Sequence, residues 1–476
     1  MPSGFAPFPA GGLILCAGAL RESRLADDAL LALGCTSALT EEALLLASEL
    51  ALLPPGASAA EALQQAGFDS VPRIEAFFQR LGALEAMERL GKLRIARLSE
   101  LRSADGQQPV WLAGASLGNC WPSADSGPVC SCMRLLANGL TGEPESLSLL
   151  AKKPSLLDGA ESVWAQLTGG ARTGIPIALD MSTGTHASSE ALRKIIQAHG
   201  AELRSSLAAY MPEARCFGRQ YPGSRGREPC PGSGSDRKLG CAAFVFFDPQ
   251  MQIDQCEAFA QHLAAIEEAW RLGRIGWAQI PEASKRFFRR PADRGPLLRD
   301  EAAVDEAAAG FGFFGLAAPA ELPLKKALEG WRRMAASWRG VAGRVSSLIR
   351  TLPDYAAPKP GVRSGAGFIA FLAEGMLSWM DHQRALGDAL HGDFEPSRST
   401  QALLADVQTL SAHLGDDGRL ALEKPSESQA AAAAALGLPG AFDSAESAGR
   451  LLQGGKLSWA SLARAAGRTQ AEAAEA

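Results

Sequence analysis

Hydrophobic spacing along the chain switches twice. Between residues 24 and 104 apolar side chains recur at intervals of three and four, as in "SVPRIEAFFQRLGALEAMERLGKL", which predicts amphipathic helices. "TEEALLLASELALL" predicts another, with Thr40 as N-cap and Glu41 and Glu42 in its first turn, where carboxylates suit the helix dipole. Pro54-Pro55-Gly56 closes it. Between 106 and 250 the pattern becomes three short apolar runs, each ending in a polar or glycine-bearing loop. They are Val110–Ala113 before "GASLGN", Ile175–Leu179 before "DMSTGTHASS", and Ala242–Phe247 before "DPQ". Helical patterns, "SSEALRKIIQAHG" and "CEAFAQHLAAIEEAWRLG", follow the last two. Strand, loop and helix in repetition predict a small parallel sheet. From about residue 300 the helical spacing returns, with a stripe through Leu324, Ala327, Trp331, Met334 and Trp338. "GAGFIAFLAEGMLSWMDHQRALGDALHG" is apolar enough to predict a helix at the centre of a core. "SWASLARAAG" predicts a closing helical element, and "TQAEAAEA" a fraying tail. Near the start, Leu13-Ile14-Leu15-Cys16 predicts a short buried strand.

The expected fold is therefore α/β with a large helical share. A small parallel sheet in the middle of the chain is flanked by mainly helical N- and C-terminal regions. The expected boundaries are 1–105, 106–290 and 291–476. Residues 217–240 lack periodicity and are rich in Gly, Pro and Arg, which predicts a flexible loop. Two readings stand for it: a disordered excursion, or a lid carrying Arg219, Arg225 and Arg227.

Composition narrows the class. The 476 residues suffice for two or three cores, and 47% of them are hydrophobic. The net charge of −5 gives no global basic field, so a nucleic-acid partner is not expected. No apolar run reaches the roughly 20 residues that span a bilayer, so no membrane association is expected. The run at 11–20 has no Lys or Arg before it, the first basic residue being Arg21, which argues against a secretory leader. The nine cysteines are odd in number and include no Cys-x-x-Cys pair, so reduced thiols, a cytoplasmic location and no zinc ribbon are expected. No cofactor and no metal is expected, and the partner is an unidentified small molecule or protein.

Candidate chemistry gathers where the short strands end, since ligands of α/β sheets collect there. Gly114-Ala115-Ser116-Leu117-Gly118 resembles the nucleophile elbow of α/β-hydrolases, G-x-S-x-G after a strand. The following "NCWPSADSGP", with Pro122 and Pro128, departs from the helix that should begin at the serine. The resemblance implies a serine-nucleophile hydrolase or acyl transferase with Ser116 attacking and Asp180 or Asp248 orienting a histidine base. His186 is the first choice of base; His199 and His262 also follow in the chain. The Leu117 or Gly118 backbone N–H would then serve an oxyanion hole. The loop "DMSTGTHASSE" offers a binding site made of Ser182, Thr183, Gly184, Thr185 and Ser188, with Ser188 or Ser189 as helix cap, joined by Asp248.

Weaker signals are Cys130 or Cys132 opening a helix, where a thiol is activated, and Asp381, His382, Asp388, His391 and Asp393 as a cluster near a helix end. Each has a plainer reading, a buried thiol and a solvated helix end. The basic run at 284–299, with Lys285, Arg286, Arg289 and Arg290 around Phe287 and Phe288, reads as a helix end entering a linker. The competing function class is a non-enzymatic helical scaffold or interaction protein, favoured by the Ala-rich helices and the lack of a strong motif.

Overall fold

The computed structural model describes residues 7–54, 57–94, 111–112, 130–131, 163–169, 176–183, 187–222, 241–280, 282–291, 295–319, 323–353, 359–391, 398–414 and 420–458. In chain order, strand β1 (Phe8–Pro9) precedes helices α1 (Gly11–Glu22), α2 (Leu25–Ala32), α3 (Ser37–Leu52), α4 (Ala59–Gln65) and α5 (Val71–Ala83). Strands β2 (Val163–Gly169) and β3 (Pro176–Thr183) and helix α6 (Ala187–Ser205) follow. Then come β4 (Tyr210–Met211), β5 (Cys216–Pro222), β6 (Cys241–Phe247), α7 (Pro249–Arg271), α8 (Glu301–Ala308) and β7 (Phe313–Pro319). The chain closes with α9 (Leu324–Arg350), α10 (Pro360–His391), α11 (Thr400–Gln408), β8 (Ser411–Leu414), β9 (Leu420–Leu422), α12 (Glu427–Ala435) and α13 (Ala445–Gly454). These elements divide into two compact units, the first built from 1–97, 173–179 and 333–476, the second from 98–172 and 180–332.

The first unit is a helical bundle around α10. Every residue from Gly365 to Met380 is buried, and all but Glu374 and Ser378 are apolar or glycine, as a helix packed by neighbours around it requires. Phe368 and Phe371 are fully buried, each contributing roughly 2 kcal/mol on removal from water. α5 and α3 are the main neighbours of α10, and α1 packs on α13. α5 can lie against α10 because Gly365 faces the Phe78 backbone: a Cβ at 365 would stand 2.7 Å from Phe78 Cα. The predicted central helix is thus present. The predicted strand at 13–16 is not: Leu13–Cys16 lie inside α1. A four-residue apolar run carries no periodicity of its own, and its Gly and Ala neighbours extend it into a helix whose residues Gly11 to Leu20 are all buried. The start of α3 also moves. Its N-cap position is Thr36, and Thr40 sits one turn inside, its hydroxyl donating to the Thr36 carbonyl at 2.8 Å.

The second unit holds a four-stranded sheet in the order β7-β6-β5-β4, and every pairing in it is antiparallel. Phe247 stands opposite both Phe313 on β7 and Phe217 on β5. This corrects the expected parallel sheet. The strand Cys216–Pro222 was hidden by the Gly- and Arg-rich composition of 217–240. It pairs with β6 directly and antiparallel, Phe217 opposite Phe247 and Pro222 opposite Ala242. A two-residue parallel contact does link Trp111–Leu112 to Cys130–Ser131. Cys130 therefore opens a strand, not a helix. One side of the sheet carries Phe247, Phe313, Val245 and Tyr221 against Leu203 of α6. A second cluster forms along α7, where Phe259, Leu263 and Ile266 pack on Phe287 and Phe311. The basic run is part of that core: Phe287 and Phe288 are buried and Phe288–Arg289 pairs with Leu298–Arg299.

Candidate functional site

The sequence-designated residues fall in four places. Ser116, Gly184, Thr185 and His186 lie outside the described residues. Asp180, Ser182 and Thr183 are in β3, which runs on past Leu179 to Thr183, so the backbone there is strand and not the expected loop. Ser188 is in the first turn of α6, which begins at Ala187. Asp248 has a structural task. Its carboxylate accepts hydrogen bonds from the backbone N–H groups of Gln250 (2.9 Å) and Met251 (3.2 Å), capping α7 ahead of Pro249. Asp248→Ala is expected to cost about 1 kcal/mol, read as a lower urea midpoint for the second unit, while Asp248→Ser, which keeps a cap acceptor, recovers most of it.

A histidine–serine pair that the motif did not point to lies in the second unit. His262 Nε2 on α7 lies 3.0 Å from Ser284 Oγ on the helical turn Glu282–Lys285. Residues 277–279 form a 3₁₀ turn, and Phe287 N–H bonds the Ser284 carbonyl, so short local bonds fix Ser284 beneath α7. Ser284 is 1% exposed and His262 7% exposed. Burial holds the imidazole below its ordinary range, favouring the neutral form, whose Nε2 accepts from the serine hydroxyl in one of its two tautomers. A base set on a hydroxyl in this way is the start of a nucleophilic dyad. It is equally the way a core satisfies two polar side chains, and the neighbours are Leu263, Phe287 and Phe288. The signal that could have found the pair is weak, since a His and a Ser 22 positions apart with a break between them have no motif.

No protein-family model, curated protein or solved structure matches this chain.

The other candidate groups also have local partners. His199 stacks on Tyr221 with ring centroids 4.9 Å apart, and Arg219 pairs with Glu202. Asp381 accepts a hydrogen bond from Thr400 and lies 3.7 Å from Arg384. No grouping of His, Cys, Asp and Glu suited to a metal ion occurs among the described residues. α9 carries Lys325, Lys326, Arg332, Arg333, Arg339, Arg344 and Arg350 against a single acid, Glu329, a charge bias hidden by the net balance of the chain. Lys325 pairs with Glu213 and Arg332 donates to the Ala214 carbonyl in the second unit, and Arg344 pairs with Glu374 in the first. Among the described residues no helix is long and apolar enough to cross a membrane.

Large apolar groups do reach solvent in the second unit. Leu207, just before β4, is 89% exposed and Tyr210, in β4, is 42% exposed; among the described residues β4 is the last strand of the sheet. Tyr210 leans on Phe217 of β5 at 5.1 Å, so its ring is braced.

Proposed function

We propose that this chain acts by binding another polypeptide and not by catalysis. The carrying observation is the apolar edge of the sheet, where Leu207 and Tyr210 stand exposed beside an outermost strand. Exposed apolar side chains at the end of a sheet supply contact area for a partner chain. The candidate chemical groups support the same reading: Asp248 caps a helix, and His262 and Ser284 satisfy each other inside a core.

A second reading is favoured by the 3.0 Å His262–Ser284 contact. It is acyl transfer by a serine, with Ser284 attacking and His262 taking its proton once the turn Glu282–Lys285 lifts. The same reaction class could run through Ser116, with His186 as base, Asp180 orienting it, and Ser182, Thr183, Gly184, Thr185 and Ser188 holding the substrate.

Fluorophosphonate labelling followed by intact mass separates these readings. Wild type, Ser116→Ala and Ser284→Ala are expected to remain unlabelled. A covalent adduct on the wild type overturns the binding reading, and its loss in one variant names the nucleophile.

A further inference from the structure

The hairpin at the exposed end of the sheet carries two arginines that no carboxylate answers. β4 and β5 are joined by a tight turn, in which Ala214 N–H donates to the Met211 carbonyl at 3.0 Å and Arg215 N–H to the Pro212 carbonyl at 3.2 Å. Arg215 stands in this turn at φ +54° and is exposed. Arg332, on the part of α9 that belongs to the second unit, reaches the same turn and donates from Nη2 to the Ala214 carbonyl at 3.1 Å. It too is exposed. The acids beside them act elsewhere: Glu213 pairs with Lys325, and Glu329 acts on Lys325 as well. Neither Arg215 nor Arg332 has an ion-pair partner among the described residues.

The apolar groups lie on the same short stretch of chain. Leu207, Tyr210 and Pro212 are exposed, and Tyr210 stands opposite Phe217, two residues on from Arg215. Apolar contact area and unanswered positive charge are thus neighbours on one hairpin. Nucleic acid is a poor match for them. Its binding rests on many phosphate contacts, and here two free guanidinium groups stand beside Glu213. A leucine that is 89% exposed also suits an apolar side chain and not a phosphate. A polypeptide supplies both an apolar side chain and a carboxylate, and the planar guanidinium matches carboxylate geometry.

We infer that the segment bound at this edge is acidic: its apolar side chains rest on Leu207 and Tyr210, and an aspartate or glutamate close by in its sequence is held by Arg215 and Arg332. The assignment rests on the binding reading of this edge and adds the charge of the partner.

Fluorescence anisotropy on the full chain tests it with two labelled peptides, four repeats of Leu-Glu-Ser and four of Leu-Gln-Ser. The glutamate peptide is expected to bind about fivefold more tightly at low salt, the worth of two exposed ion pairs, and the difference is expected to fade as salt rises. Arg215→Gly combined with Arg332→Gln is expected to bring the glutamate peptide down to the level of the glutamine peptide and to leave the latter unchanged. Glycine enters the left-handed turn at no steric cost, so the hairpin survives that change. Leu207→Ser, at an exposed position, is expected to weaken both peptides. Equal affinity for the two peptides, with both weakened in Leu207→Ser, overturns the acidic partner and leaves the binding reading standing. A glutamate preference that persists without the two arginines overturns the assignment, because another surface then carries the charge. So does binding of neither peptide, or a twelve-nucleotide DNA strand that binds more tightly than the glutamate peptide. The binding reading itself falls to a different result, a covalent adduct in the fluorophosphonate experiment.

Discussion

Gly365→Ala is expected to destabilise the helical unit by about 3 kcal/mol or more, although alanine is the better helix former. The Phe78 backbone of α5 sits where the new methyl would go, 2.7 Å from Phe78 Cα. Backbone cannot turn aside as the end of a flexible side chain can, so the methyl must push α5 away from α10. α5 makes the most extensive contact that α10 has. Prying it off would open a layer that includes the fully buried Phe78. Gly343→Ala is the matched control. It is a mid-helix glycine of α9 with nothing within 4 Å of a new Cβ. There the same change should stabilise by up to roughly 1 kcal/mol, since only the backbone entropy term remains. Urea unfolding followed by far-UV circular dichroism reads both: midpoints moving in opposite directions support the packing assigned to Gly365, and equal midpoints contradict it.

That contrast shows what was legible in the sequence. The core helix was, because across the sixteen buried residues from Gly365 to Met380 only Glu374 and Ser378 interrupt the apolar run. Which of its glycines touch a neighbour was not, since contact is made in three dimensions and Gly343 and Gly365 look alike in one. The sheet shows a different failure. Its apolar strand Cys241–Phe247 was plain, but its partner Cys216–Pro222 carries Gly218, Arg219, Gln220 and Pro222 and reads as loop. Gly218 is there because Phe246 lies on it: the Phe246 ring would be 2.7 Å from a Cβ at 218. Missing that strand turned an antiparallel sheet into a parallel one. In the candidate site, Asp248 was recognised as a polar residue at a strand end, but the same position is also a helix N-cap, and sequence alone does not rank the two roles. The pair His262–Ser284 lay beyond any spacing rule, because its two halves meet across a turn.

The second large effect concerns Arg344 and Glu374. Arg344 Nη1 donates to Glu374 Oε2 at 2.7 Å and to the Gly340 carbonyl at 3.1 Å, and the side chains are 15% and 11% exposed. Gly340 makes room: a Cβ there would overlap the carboxylate, standing 2.6 Å from Glu374 Cδ. Even with Arg344 beside it and a hydrogen bond from Ser378, burial raises the Glu374 pKa from 4.5 to about 7. Arg344→Met is therefore expected to cost about 3–5 kcal/mol at pH 8, where it strands a buried negative charge. At pH 5 Glu374 is mostly neutral and the cost should fall to the roughly 1–2 kcal/mol of lost hydrogen bonds. The sign follows from proton counting. The folded state of Arg344→Met holds the Glu374 proton to a higher pH than the wild type does, so its stability declines over a longer span above pH 4.5. Adding Glu374→Gln to Arg344→Met removes the charge that cannot be solvated and should restore most of the pH 8 loss, while changing little at pH 5. Urea unfolding at pH 5 and 8 on the wild type, both single variants and the double variant measures the coupling. A loss in Arg344→Met that is the same at both pH values, and that Glu374→Gln does not repair, would mean that Arg344 stabilises α9 against α10 through its apolar stem and not through the carboxylate it faces.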